Sequence, residues 1–242
     1  MNKLEGLKKH ISGFKKIFLT GGSGLLGGEL IKISKAYNVE FVAPASKYCD
    51  IRNPYQIRNH IISSGCDIVV HSAAITDVKA AENDPSLAWE VNVLVTLNVL
   101  KSCKDLGKKI VYISTDYVFD GEKGNYTIDD PINPLSKYAK TKASGELLVR
   151  TYENSLIIRT SFFGYKFPYE AAFMDQWSSK DYVDIIAPKI LKTILENSNG
   201  VVHVGSKRRC IYEIAKERCI GVSKISRCSV EGPLPKDTSF TF

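Results

Sequence analysis

The sequence lacks most of what metal or disulfide chemistry would need. Its four histidines, His10, His60, His71 and His203, show no ligand spacing, so no metal site is expected. Six cysteines (Cys49, Cys66, Cys103, Cys210, Cys219 and Cys228) are scattered without a Cys-x-x-Cys pair. That excludes a dense disulfide framework and fits reduced thiols in a cytoplasmic protein. The longest apolar runs, such as Ile68 to His71, are far too short to span a bilayer, and no membrane association is expected. The lysine-rich stretch from Met1 to Lys16 is not followed by a long apolar segment, so no secretory signal is expected. Repeats and low-complexity linkers are also missing.

What is present suits a globular chain. Of 242 residues, 44% are hydrophobic and 24% charged, enough for one large domain or one domain with a small appendage. The net charge is +7, but Lys and Arg fall mostly on expected helix faces and in the N-terminal arm. They form no stripe with aromatic platforms, so nucleic acid is not an expected partner. A positive field does suit an anionic cofactor and substrate.

Short apolar runs at 16–20, 40–43, 66–71, 109–114 and 155–159 read as strands, separated by helical patterns at 25–37, 54–64, 85–106 and 133–151. Asn53 is expected to cap the second helix with Pro54 at its first position, and Asn133 and Pro134 to open the fourth. Strands apolar on both faces and alternating with helices predict an α/β protein, a doubly wound parallel Rossmann sheet covered by helices on both faces. Beyond Phe162 the pattern loosens, with a helix expected over 184–197, a strand over 201–204 and a helix over 211–219. The expected division is a dinucleotide-binding domain at 1–160 and a small substrate-binding region at 161–242 packed on it.

The first strand runs into Thr20-Gly-Gly-Ser-Gly-Leu-Leu-Gly27, a Gly-x-x-Gly-x-x-Gly turn between strand and helix. Glycines permit the tight turn and close approach to a pyrophosphate, while the helix N-terminus offers free N–H groups. Gly21, Ser23, Gly24, Leu25, Leu26 and Gly27 are therefore expected cofactor contacts. After the second strand, an acidic residue would hold the 2′-hydroxyl of NAD. This chain has Ala43-Pro-Ala-Ser46-Lys47 instead, and Ser46 and Lys47 suit a 2′-phosphate. The expected cofactor is NADPH, with NADH the alternative.

Tyr138 and Lys142 stand four residues apart, one helical turn on one face. Reduction of a ketone builds negative charge on its oxygen, and a tyrosine hydroxyl can supply the proton. A nearby ammonium is expected to draw the phenol pKa downward and to hold the nicotinamide ribose. Thr115, at the carboxyl end of the fourth strand, would help bind the carbonyl. Tyr212 and Lys216 repeat the spacing after the sheet is complete and are read as incidental.

At these residues the chain resembles the extended short-chain dehydrogenases/reductases, and within them the dTDP-4-dehydrorhamnose reductase group. The motifs are TGGSGLLG (20–27), HSAAIT (71–76), VNV (91–93), STDYVFDG (114–121), YAKTK (138–142) and RTSFFG (159–164). The resemblance implies a catalytic set of Thr115, Tyr138 and Lys142. It also implies Asp50 and Ile51 beside the adenine, and Ala73, Ala74 and Thr76 along the cofactor. Val78, Asp116, Val118 and Phe162 would line the sugar pocket, Phe162 standing where the group often has tryptophan. Related dehydratases carry Thr-Asp-Glu; here Tyr117 follows Asp116, which disfavours elimination.

The stretch from Gly164 to Val201 is compressed relative to such proteins, and 234–239 resembles the start of their terminal segment. Asp175, Gln176, Ser179, Asp181 and Tyr182 are further candidates for substrate contact. The implied activity is reduction of a nucleotide-linked 4-keto-6-deoxy sugar, with a homodimer expected from family habit. Two alternatives are an epimerase of nucleotide sugars with tightly held NAD, and a regulatory subunit like that of methionine adenosyltransferase.

Overall fold

A computed structural model describes residues 15–196, 198–230 and 232–242. The lysine-rich arm before residue 15, and the end of the helix expected to reach Asn197, lie outside the described residues.

Six parallel strands form the main sheet: β1 (Lys15–Thr20), β2 (Val39–Val42), β3 (Ile68–His71), β4 (Lys109–Thr115), β5 (Ser155–Thr160) and β10 (Gly200–Val204). Their order is β10-β5-β4-β3-β1-β2. The chain runs outward from β1 to β2 and then crosses back to β3. The carboxyl ends of β1 and β3 thus flank the point where the winding reverses, where doubly wound sheets bind ligands.

Alternation along each strand explains the two covering layers. Ile17, Leu19, Val70, Val111, Leu156 and Ile158 face α1 (Leu25–Ile33) and α7 (Val183–Glu196), meeting Leu26, Leu30, Ile186 and Ile190. Phe18, Val69, Ile110, Tyr112 and Ile157 face the other way. They pack on α2 (Pro54–Ser64), α5 (Val95–Asp105) and α6 (Lys137–Arg150) through Ile57, Ile61, Val99 and Val149. Both layers are apolar, as a parallel sheet buried on both faces requires.

Asn53 caps α2 as expected, its side chain accepting from the Tyr55 and Gln56 amides. The expected long helix begins at α4 (Pro85–Trp89) and continues into α5, but passes through one π-helical turn at Glu90–Leu94. A short α3 (Val78–Asn83) precedes it.

The fourth helix starts later than its sequence signals imply. Ser136, not Asn133, is the cap of α6, accepting from the Ala139 amide at 3.1 Å. Asn133 instead donates its side-chain amide to Asp120 at 2.9 Å, so the chain stays irregular through Pro134.

Past β5 the chain makes short strand pairs. β6 (Phe162–Phe163) pairs with β9 (Asp181–Tyr182), β7 (Ala171–Phe173) with β12 (Ser223–Ile225), and β8 (Trp177–Ser178) with β11 (Arg209–Cys210). A separate apolar cluster holds them to α8 (Ile211–Lys216), with Phe167, Tyr182, Ile214 and Val222 at its centre. Among the described residues no helix is long and apolar enough to cross a membrane.

Candidate active site

The glycine turn lies at the carboxyl end of β1. Gly21 has φ +76°, and the Gly24 amide donates to the Gly21 carbonyl at 3.0 Å. A Cβ on Gly27 would sit 2.2 Å from the Gly21 oxygen, so α1 can approach the turn only without a side chain there. No side chain caps α1 at Gly24, which leaves its first amides to a ligand. Ser23, Gly24 and Leu25 are exposed, whereas the Leu26 side chain is in the core and offers the cleft only backbone.

His71 ties this turn to β3. Thr96 donates its hydroxyl to the Asn92 carbonyl at 2.8 Å, so His71 Nε2 donates to Thr96 at 3.0 Å. Its Nδ1 then accepts from Thr20 at 2.7 Å. Burial and the nearby Lys142 push the imidazole pKa down to about 3, keeping it neutral. Ser72 donates to the Thr20 carbonyl at 2.8 Å, closing the seam between the two loops. Ala73 and Ala74 are half-buried there, and Thr76 is exposed.

Ser46 and Lys47 lie on the exposed loop after β2, with the Lys47 ammonium 4.7 Å from the Tyr48 ring centre. Asp50 is held by Arg52 through two side-chain hydrogen bonds of 3.1 Å, which depress its pKa below the usual carboxylate range. Ile51 rests against the core under α2.

The three proposed catalytic groups meet at the end of β4. Thr115 and Tyr138 are both buried, and Thr115 is close enough to lower the phenol pKa by hydrogen bonding. Burial outweighs that effect and Asp116 adds to it, so the phenol is pushed up to about 12. The expected downward pull from Lys142 is not what the structure shows. Its ammonium donates to the Ile113 carbonyl at 2.8 Å and lies 4.2 Å from the Tyr112 ring centre. Burial brings the Lys142 pKa down to about 7, Glu146 opposing the shift.

Val78 and Tyr117 pack against Tyr138. Phe162 is half-buried against the α1/α7 layer, and Val118 is wholly buried with Phe119, Tyr126, Ala143 and Phe240. Asp116, also buried, accepts from Thr115 at 3.3 Å, Ser178 at 3.0 Å and Thr238 at 2.7 Å.

The C-terminal candidates divide. Gln176 stands beside Tyr117, where it opposes the rise that burial gives the phenol pKa, and donates to the Pro235 carbonyl at 3.0 Å. Asp175 accepts from Ser226 and the Arg227 amide, Ser179 from the Phe240 amide, and Asp181 from Arg209. The Tyr182 hydroxyl donates to the Ile214 carbonyl. These four are engaged in holding the C-terminal part together. Tyr212 lies in that part's apolar cluster and Lys216 is exposed.

Several residues of this region were not singled out by sequence as contacts: Ser178, Lys180 and Thr238 around Asp116, and Asn92 behind α6; Tyr117 stands out in the sequence only as the residue that replaces the dehydratase glutamate. Asn92 sits in the π-helical turn. Its oxygen accepts from the Ile75 amide at 2.8 Å, and its nitrogen donates to the Ile75 carbonyl and to Thr141, both at 3.0 Å. Its only sequence signal is its place in the VNV motif.

Residues 15–187 match the family described as the RmlD substrate binding domain. The chain belongs to this family. It is 33% identical over 219 residues to the spore coat polysaccharide biosynthesis protein SpsK of Bacillus subtilis, covering 83% of this chain and 77% of that one. Methionine adenosyltransferase 2 subunit beta of Bos taurus is 28% identical over 236 residues, covering 83% and 70%. Several bacterial dTDP-4-dehydrorhamnose reductases match over only about half of their own length.

Among solved structures, the dTDP-4-dehydrorhamnose reductase of Bacillus anthracis, in complex with NADP, superposes with a TM-score of 0.84. It is 26% identical, with 95% of this chain and 90% of that one covered. With the family comes the general chemistry of nicotinamide-dependent oxidoreductases acting on nucleotide sugars.

Proposed function

We propose that the protein is an NAD(P)H-dependent reductase of a nucleotide-linked 4-keto-6-deoxy sugar. The observation that carries this reading is the buried Thr115–Tyr138 contact at the end of β4, with Lys142 one turn along the same helix. The turn suits a dinucleotide, because Gly27 lets α1 close onto the Gly21 carbonyl and the uncapped first turn of α1 begins beside the exposed Ser23 and Gly24.

Gly21, Ser23, Gly24 and Gly27, with the backbone of Leu25 and Leu26, would hold the pyrophosphate. Ser46 and Lys47 would take a 2′-phosphate, Asp50 and Ile51 would flank the adenine, and Ala73, Ala74 and Thr76 would line the dinucleotide. The nicotinamide, when bound, supplies the hydride. Tyr138, protonated at neutral pH, donates its phenolic proton to the substrate oxygen while the Thr115 hydroxyl holds that oxygen. Lys142, which donates to the Ile113 carbonyl, would hold the ribose hydroxyls and, beside Tyr138, favour the phenolate left behind. Val78, Asp116 and Phe162 shape the sugar pocket, Val118 lies behind it in the core and does not line it, and residues 161–242 form its outer part.

The likeness to a methionine adenosyltransferase subunit supports a second reading, in which the chain binds the cofactor and serves as a partner subunit. The test follows NADPH absorbance with dTDP-4-keto-6-deoxy sugars, using Tyr138→Phe as control. Consumption by the wild type alone, with equal NADPH affinity in the variant, supports the reductase. No consumption, with NADPH still bound and a larger partner co-purifying, supports the second reading.

A further inference from the structure

One cation in the cleft has no assigned role. Lys180 lies between β8 and β9, where the backbone turns after Ser178, and its own amide donates to the Ser178 hydroxyl at 3.1 Å. Ser178 is also a donor to Asp116, so Lys180 is anchored two residues from the group that flanks Thr115. The side chain is half-buried, and its ammonium lies 4.6 Å from the ring centre of Phe163 and 5.7 Å from that of Tyr117. Tyr117 in turn meets the Tyr138 ring edge-on at 6.4 Å between centres.

Among the described residues, no carboxylate or carbonyl closes on the Lys180 ammonium. Asp116 attracts it but directs its oxygens to Thr115, Ser178 and Thr238. Burial lowers the lysine pKa from its ordinary value, as expected of a cation removed from water without a full partner. Two aromatic faces fix such a cation in place and leave its three N–H donors largely unused. The other basic side chains nearby are committed: Arg209 to Asp181 and Glu217, and Arg208 to Asp237.

We infer that Lys180 is the anion receptor of the substrate site, pairing with an anionic oxygen group of the bound substrate. The inference rests on the reading of this cleft as a nucleotide-sugar site, and two sources share that chemistry: the diphosphate linkage, which the 4-keto-6-deoxy substrate carries, and a sugar carboxylate, which that substrate lacks and which would replace it with a nucleotide-linked uronic acid. Lys180 thereby selects for charge on the substrate, while Tyr138 and Thr115 act on its carbonyl.

The experiment measures binding by calorimetry on the NADPH-loaded protein and needs no turnover. It compares wild type, Lys180→Met and Lys180→Arg with three probes: dTDP, UDP-glucuronate and UDP-glucose. Lys180→Met keeps the stem and removes the charge. If the diphosphate is the partner, it weakens all three probes about tenfold or more. If a sugar carboxylate is the partner, only UDP-glucuronate weakens, and its advantage over UDP-glucose disappears. In either case Lys180→Arg recovers part of the loss and NADPH affinity stays within about twofold of wild type.

Probe affinities unchanged in Lys180→Met overturn the inference, as does a wild type that binds none of the probes. A parallel fall in NADPH affinity and melting temperature, not rescued by arginine, also overturns it by showing a structural role. Failure of the reductase reading shows separately, as absence of NADPH consumption in a protein whose probe binding still depends on Lys180.

Discussion

Thr238 donates its hydroxyl to Asp116 Oδ2 at 2.7 Å, joining two residues 122 positions apart beside Thr115. The bond ties the C-terminal segment to the end of β4, where the proposed active site lies. Tyr126 pairing with Phe240, and Trp177 with Asp237, fix that segment on either side.

Thr238→Val removes this donor from a buried carboxyl group. The expected cost is about 1.5–3 kcal/mol of stability, the range for a hydrogen bond to a charged partner. kcat should fall with little change in NADPH affinity, because the segment touches the Asp116 side of the cleft. Chemical denaturation and a cofactor titration check both; unchanged kcat would show that Asp116 keeps its position without Thr238.

Two neighbouring glycines separate close approach from helix propensity. Gly27→Ala places a methyl 2.2 Å from the Gly21 oxygen, whereas at Gly28 the nearest atom is 3.9 Å away. Gly27→Ala should destabilise by about 1–3 kcal/mol and weaken NADPH binding sharply. Gly28→Ala, inside the exposed face of α1, should stabilise by about 0.5–1 kcal/mol. Equal effects at the two positions would contradict the packing described for the turn.

Lys47 is exposed and rests on Tyr48, with no acidic partner in its salt-bridge range among the described residues. Lys47→Glu should shift preference from NADPH toward NADH, since a carboxylate repels a 2′-phosphate and accepts from a 2′-hydroxyl. The ratio of the two dissociation constants is the readout, and a constant ratio removes Lys47 from cofactor choice.

His71 carries a pH dependence whose sign follows from its depressed pKa. Its value falls from 6.5 to about 3 in the folded protein, so between those limits the unfolded chain binds the extra proton. Its contribution to stability is full above about pH 6.5 and is lost as pH falls toward 3. Between pH 7 and pH 5 this amounts to about 2 kcal/mol. Urea unfolding at the two pH values, with His71→Gln as comparison, should show a smaller loss in the variant.

The sheet was legible in the sequence because its strands are short apolar runs stopped by glycine, proline or polar residues, and both faces are buried. The glycine turn and the Tyr138–Lys142 spacing were legible because they are local. The start of α6 misled for a local reason too: Asn133 and Pro134 carry the right chemistry for a helix opening, but Asp120 captures the Asn133 amide and Ser136 takes over the cap. The surroundings of Asp116 were not legible, since Ser178 and Thr238 reach it from 62 and 122 residues away. The π-helical turn was hidden for another reason. Its extra residue leaves the apolar pattern of a long helix nearly intact, and only the inward carboxamide of Asn92 marks it.

That carboxamide has a mechanical consequence. Through one planar group it grips Ile75, on the loop that follows β3, and Thr141, whose hydroxyl donates to the Tyr138 carbonyl at 2.8 Å. Both jaws of the cleft are therefore referenced to a single rigid spacer. A displacement of either by an ångström breaks a bond to the other, so the position of Tyr138 is coupled to that of the loop after β3.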